Sequence, residues 1–473
     1  MRGILLVVLV GVAVAPAGAA GFGPRFEELL ARCTPAQLYA LLYDLPKGGD
    51  LHNHAYGSHR PEWLLAVLTD PARNGGDEFY ARARFADPPD AIEPSMLYRT
   101  VRRRTWEQLP PAVRATYVPV GALTPTERAE WCDAFRLDRP GEGRHEFFAN
   151  IWTRLGDTGS NPQVRLELLA ENIKAFAAEG LCYLETQSGA DGFIANDGRA
   201  LTPAEGAACY RERLARPDVA ATGLVVRLQE AILRHTPVAE QDLRESYAFV
   251  SAHRDLWVGL NLVGLEESGR GYPLRFLETF RELRRSHPTL PLSIHAGEMD
   301  GPDSHIRDTL LLGATRIGHG VNILKDPDTL LLLQQSRRAL IEVNLISNRL
   351  LEYVPDLAQH PFPELLRTGV PVCLNTDDRG MWDSNMTDEY YTAVTTFRLT
   401  WDEVVALGRN SLVHAFVQPE VKERLLAAYD ARLAAFEANY GAGTTDEAIA
   451  RLAAVQPVAY GYARRTWGLD FAR

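Results

Sequence analysis

Short apolar runs rich in Val, Ile and Leu recur along the chain, separated by stretches whose apolar residues repeat with a helical period. Eight runs read as strands: Gly49 to His54, Leu181 to Gln187, Gly223 to Gln229, Trp257 to Gly264, Leu290 to Glu298, Thr315 to Asn322, Ala339 to Ser347 and Val370 to Asp378. Between them the pattern predicts helices such as Val164 to Glu179, Ala239 to His253, Leu274 to His287, Asp303 to Leu312 and Pro363 to Gly369. Apolar strands alternating with crossover helices imply a parallel sheet. Eight repeats predict an α/β chain closed into a (β/α)8 TIM barrel, although an open doubly wound sheet shows the same alternation.

The longest interval lies between the first and second strands. The segment at about 70–161, rich in Pro, Arg and aromatics, is expected to be a helical insertion covering the barrel mouth or a partner surface, and it is the candidate surface for a homodimer. From Trp401 onward, runs such as Val421 to Ala438 predict a helical C-terminal tail. Residues 1–20 read as a signal peptide: Arg2, the apolar run Ile4 to Val14, and Ala17-Gly18-Ala19 as an A-x-A cleavage pattern. The run is shorter than the roughly 20 apolar residues that span a bilayer, which argues against the alternative of an uncleaved anchor. On this reading residues 21–473 form one catalytic barrel domain, exported to the periplasm or the extracellular space without stable membrane insertion.

Composition narrows the class further. The 473 residues are 46% hydrophobic and 23% charged, as in soluble globular enzymes and unlike disordered chains. A net charge of -11 disfavours a nucleic-acid partner, whose phosphates require concentrated Lys and Arg. The one basic run, Arg102 to Arg104, reads as a solvated helix face. Cys33, Cys132, Cys182, Cys209 and Cys373 form no CxxC pair and define no metal site; Cys182 and Cys373 lie in apolar runs as buried fillers.

Polar residues gather at the C-terminal ends of the strands, where a barrel of this type places its chemistry. The first strand ends in His52-Asn53-His54, and the two-residue period points both imidazoles to one side. The fifth ends His295-Ala296-Gly297-Glu298, and the eighth Thr376-Asp377-Asp378. Three histidines and a carboxylate suffice for a mononuclear zinc site with a place left for water. The sixth strand adds Arg316-Ile317-Gly318-His319-Gly320. Each feature alone also fits a structural role; their common position at strand ends is what raises them above that.

These four motifs, with Ile346-Ser347-Asn348, His360-Pro361 and Gly369-Val370, resemble the adenosine deaminase family over about Lys47 to Gly57 and Leu181 to Met381. The signal and the long insertion resemble its secreted growth-factor branch. The resemblance implies one Zn2+ per subunit held by His52, His54, His295 and Asp377, and a purine nucleoside as small-molecule substrate. It implies that His319 orients the reacting water and takes its proton, with Asp377 beside it, and that Glu298 donates a proton to N1 of the purine. Burial is expected to raise the Glu298 pKa so that it arrives protonated. Asp378 is implied at N7 and the Gly264 backbone at N3, while Tyr56 stands where the family has a polar or acidic residue at the sugar edge.

Two further departures are Asn261 in place of a frequent Asp, and Arg379 in place of a proline after Thr-Asp-Asp. The expected reaction is hydrolytic deamination of adenosine or 2'-deoxyadenosine to inosine or deoxyinosine and ammonia. Alternatives are deamination of adenine or a modified purine, a secreted nucleoside-binding or receptor-binding protein with vestigial turnover, and a zinc hydrolase of an ester, amide or phosphoester, commonly in a two-metal form. The last commonly needs a bridging lysine, and no lysine stands at any of the eight strand ends.

Overall fold

The computed structural model describes residues 21–85 and 96–471, so the signal-like segment lies outside the described residues. Eight strands form one sheet in chain order: β1 Gly48–His54, β2 Leu181–Gln187, β3 Val225–Leu233, β4 Trp257–Val263, β5 Leu292–Ala296, β6 Arg316–His319, β7 Leu340–Val343 and β8 Val372–Leu374. All adjacent pairs along that order are parallel. The ring closes at the C-terminal ends of β1 and β8. There Asn53 bridges Asp377, the Asp377 N–H donates to His52 O at 2.9 Å, and the His54 N–H donates to Asp377 O at 3.2 Å. The open-sheet alternative is thereby excluded, and closure itself brings three of the expected metal ligands, His52, His54 and Asp377, together.

Strand interiors are buried on both faces, as a barrel ringed by helices requires. Helices Pro162–Ala178, Ala239–Ala252, Leu277–Ser286, His305–Leu311 and Phe362–Arg367 follow the predicted ones within a few residues. The seventh expected strand is shorter than its apolar run, because a helix, Leu345–Leu350, starts directly after Asn344. Its first turn is anchored by the buried Glu389, whose two carboxylate oxygens accept the Leu345 and Ile346 N–H groups at 3.0 and 3.1 Å. A partner 43 residues away in sequence thus ends the strand.

The insertion is helical, with Pro61–Leu68 leading into it and Pro125–Asp133 within it, and it also holds an antiparallel sheet of Phe79–Arg82, Thr100–Arg102 and Tyr117–Pro119 that the apolar pattern does not reveal. Its core, including Trp131, Phe135 and Phe147, packs against Met381 and Trp382, just beyond β8. Arg102 corrects the reading of a solvated basic face. It closes a strand and is fully buried, with Nε 2.6 Å from Asp77 Oδ2, Nη1 donating to Ile194 O at 2.7 Å and Nη2 to Asn196 Oδ1 at 2.8 Å. A planar guanidinium can be buried when its fork is satisfied in this way; Arg103 is exposed as expected.

The C-terminal tail is helical, and its helix Trp401–Val413 packs against β1 and β8. Arg379, the residue in place of a proline, forms a buried ion pair with Glu179, Nη2 to Oε1 2.6 Å, and stacks its guanidinium on Phe176. No disulfide joins cysteines among the described residues, and Cys182 and Cys373 are buried. No helix among the described residues is long and apolar enough to cross a membrane.

Candidate active site

The strand ends open into a cavity of about 490 Å³ lined by His54, His295, Glu298, His319, Asp377 and Asp378 together with Gly264, apolar β3 and β4 residues, and Phe147, Phe148 and Trp152 of the insertion. Phe147 and Phe148 lie on a π-helical stretch, Glu146–Ile151, an irregularity that in helices often marks functional sites. The insertion therefore supplies an aromatic wall to a pocket whose floor is the barrel.

The expected ligands converge. His54 Nε2 lies 3.1 Å from Asp377 Oδ1 and 3.3 Å from His295 Nε2, while His52 Nε2 lies 3.4 Å from Asp377 Oδ1. His319 belongs to the same group, with ligand atoms of His52, His295, His319 and Asp377 within 4.8 Å of one another. His52 Nε2 and Asp377 Oδ1 are buried and make no hydrogen bond, a costly state for polar atoms unless a cation sits between them. Burial opposes charge on His52, yet Asp377 and Glu342 on either side outweigh it and raise its pKa to about 10. This pocket calls for positive charge, and its nitrogen and carboxylate donors suit zinc.

The shell behind the ligands fixes which nitrogen each imidazole presents. His52 Nδ1 lies 2.9 Å from Glu342 Oε2, and His295 Nδ1 2.9 Å from Asn261 Oδ1. An oxygen acceptor at Nδ1 holds the proton there and leaves the Nε2 lone pair for a metal. Asn261 therefore orients His295 as the frequent Asp would, in a neutral form. Glu342 is held ionised by the buried Arg316, whose Nε lies 2.7 Å from Oε1, and Arg316 in turn reaches Glu185. Glu342→Gln is expected to weaken zinc binding by about 10–100-fold, the usual cost of losing such a support; a chelator-competition titration measures it, and unchanged affinity would remove Glu342 from this role.

His319 and Asp377 both have positive φ, 66° and 54°, strained for residues with side chains. His319 is the centre of a tight turn in which the Gly320 N–H donates to Gly318 O at 2.9 Å and to Ala296 O at 3.0 Å. Both glycines are sterically required: a Cβ on Gly318 would lie 2.6 Å from His52 Cε1, and one on Gly320 2.8 Å from the Ile341 side chain. Asp378 fits the cavity wall because residue 57 is glycine, where a Cβ would lie 1.6 Å from Asp378 Oδ1. Burial, then Asp377, raises the Asp378 pKa well above the carboxylate range.

Glu298 is 4% exposed. Burial, followed by the neighbouring charges of Asp377 and Glu266, pushes its pKa well above the usual value. Its Oε1 is 3.7 Å from His319 Nε2. The segment that carries it is held at nearly every backbone polar atom. Glu266 accepts the Gly297 and Glu298 N–H groups at 3.0 and 2.9 Å, Arg234 donates to His295 O at 2.7 Å, and the Asn322 N–H donates to Gly297 O at 3.1 Å. Glu266 and Arg234 carry no motif, being a loop acid and a strand-end arginine in the sequence, and only these contacts disclose their role.

Tyr56 is a correction. It does not line the cavity: its hydroxyl is hydrogen-bonded to Thr158 of the insertion and its ring rests against Gly159. The tight bend after β1 directs it to the insertion rather than to a sugar edge. In its stead two buried, unpartnered polar atoms, His235 Nδ1 and Ser268 Oγ, belong to residues lining the cavity. Gly264 lies beside His235 with φ 92°.

Residues 148–432 match the family model described as adenosine deaminase. An adenosine deaminase of Enterococcus faecalis is 38% identical over 137 residues, 29% of this chain and 40% of that protein. An adenine deaminase of Paraburkholderia phytofirmans is 34% identical over 220 residues, 45% of this chain and 60% of that protein. The chain thus spans less than two thirds of either relative. A solved amidohydrolase from Burkhoderia ambifaria with bound zinc shares the fold, with TM-score 0.60 and 20% identity over 89% of this chain and 96% of that one. Because the family match extends over more than half of the chain and contains the strand-end residues from His295 to Asp378, this protein belongs to the adenosine deaminase family.

Proposed function

We propose that this protein is a zinc-dependent aminohydrolase that converts adenosine or 2'-deoxyadenosine, with water, to inosine or deoxyinosine and ammonia. One observation carries the reading: a buried carboxyl group, Glu298, with its pKa raised by burial, stands beside a cluster of three imidazoles and a carboxylate in which His52 Nε2 and Asp377 Oδ1 have no hydrogen-bond partner. Zinc held by His52, His54, His295 and Asp377 supplies Lewis acidity, which makes water a nucleophile at neutral pH. Glu298 holds a proton for N1, so that electron density leaving C6 on water addition is neutralised. Asp378, its pKa raised by burial and then by Asp377, is the donor to N7, and the Gly264 backbone meets N3. Phe147, Phe148 and Trp152 cover the ring and exclude bulk water.

A nucleoside is favoured over a free base because His235 and Ser268 make the cavity wall beside Gly264 polar, which suits sugar hydroxyls. The displaced Tyr56 favours the second reading, an adenine deaminase, as does the identity of the Paraburkholderia relative. Export rests on the signal-like segment alone, and a homodimer through the insertion is the matching assembly.

Metal analysis of purified protein, with ammonia release from adenosine, deoxyadenosine, adenine and AMP, tests the proposal. One zinc per chain and highest kcat/KM on the nucleosides are expected. Highest kcat/KM on adenine would replace the first reading by the second, and no release from any of the four would refute both.

A further inference from the structure

Asn348 and His360 carry part of the family resemblance, yet neither lines the cavity. Both are buried, as is His319, and a chain of hydrogen bonds with a determined direction joins them. It begins at the Phe362 N–H, which lies 3.0 Å from His360 Nδ1. A backbone N–H only donates, so His360 Nδ1 is a lone pair and the ring proton sits on Nε2. His360 Nε2 lies 3.1 Å from Asn348 Oδ1 and donates to it, which settles which end of that amide is oxygen. The other end, Nδ2, is 3.0 Å from His319 Nδ1 and donates to it.

A second amide, Asn344 Nδ2, approaches the same nitrogen at 3.2 Å. Asn344 and Asn348 are four residues apart across the start of a helix, which places both on the side facing His319. With the Asn348 amide donating to Nδ1, the His319 proton is on Nε2. That nitrogen faces Glu298 and the ligand cluster. Burial holds the His360 pKa down to about 3, so the first ring of the chain stays neutral throughout the working range.

We propose that the Phe362 N–H, His360 and Asn348 form a relay that fixes His319 as its Nε2–H tautomer, so that His319 donates a hydrogen bond into the reacting centre. His360 and Asn348 are positioning residues that act through His319. The relay revises the proton-accepting role expected for His319 and explains why His319 sits among the ligands without being one: its inward nitrogen has no free lone pair. With Nε2 of His319 already protonated, the water's proton goes to another base, and the Asp377 carboxylate is the acidic group that shares the cluster with His319. The kinetic part of this inference rests on the deaminase reading; the tautomer does not.

Histidine-selective ¹⁵N NMR of the zinc-loaded protein reads the proton positions, with the His319 signals identified by their loss in His319→Gln. An unprotonated Nδ1 and a protonated Nε2 are expected. Asn348→Asp keeps the shape but offers only acceptors, so Nδ1 gains a proton; zinc content stays the same and kcat falls about 10³-fold, below the ~10⁴ that a wrong tautomer costs a catalytic triad. His360→Gln restores an N–H donor and is expected to keep kcat within about tenfold, whereas His360→Leu loses about 10–100-fold.

A protonated Nδ1 in the parent protein overturns the relay, as does Asn348→Asp with either Nδ1 or kcat unchanged. Equal losses in the two His360 variants would reduce that residue to packing and also overturn it. If the parent released no ammonia from any purine, the deaminase reading would fail while the NMR result still decided the tautomer.

Discussion

Glu298→Gln is expected to lower kcat by about 10³-fold or more while zinc remains at one per chain. Glutamine has nearly the same shape, so the Gly297 and Glu298 N–H bonds to Glu266 survive and the segment keeps its course. What is lost is the transferable proton, and general acid catalysis of this kind contributes roughly 10²–10⁴-fold. Glu298 is not among the residues whose ligand atoms cluster, so the metal is indifferent to the change. The pH profile separates this from a packing effect. Because burial and the charges of Asp377 and Glu266 raise the Glu298 pKa, its active, protonated form persists above the usual carboxylate range, and activity falls as pH rises through that raised value. The glutamine variant should lose this limb along with its rate. Equal loss of zinc and rate would sink the assignment.

His295→Ala is expected to have the complementary effect, removing zinc and with it all turnover. His295 presents Nε2 to the cluster because Asn261 occupies Nδ1, and its carbonyl is held by Arg234, so truncation deletes a donor without releasing the backbone. The loss in affinity should exceed that of Glu342→Gln, since a ligand rather than its support is gone. His319→Ala is the control, expected to retain zinc because its inward nitrogen carries a proton. Metal content by mass spectrometry after dialysis reads all three variants. Should His295→Ala hold a full complement of zinc and His319→Ala lose it, the two residues would exchange roles.

The barrel and its chemistry differ in how far they are visible in the chain. β2 matches its apolar run from end to end, and the other strands lie on theirs with shifts at the ends, because inward burial demands a continuous apolar stretch. The seventh run misled at its C-terminal end, where the distant Glu389 caps a helix inside an apolar sequence. The small antiparallel sheet was missed because its strands are three or four residues long, too short for alternation to register. Arg102 reads as exposed along the chain because its partners, Asp77 and the pair Ile194 and Asn196, come from two distant segments.

The sequence by itself determined the eight-fold alternation and the strand-end motifs that carry the candidate ligands. All of these are local: the period of a strand aims His52 and His54 together, and the glycines around His319 permit a turn no other residue would allow. Only the tertiary structure decided the shell behind them: the clamp of Glu266 and Arg234, the aromatic wall of the insertion, the diversion of Tyr56 and the proton on His319 Nε2. A proton's position follows from which donors and acceptors meet in space: Asn348 reaches His319 across 29 residues and Glu342 reaches His52 across 290, separations that no pattern along the chain encodes.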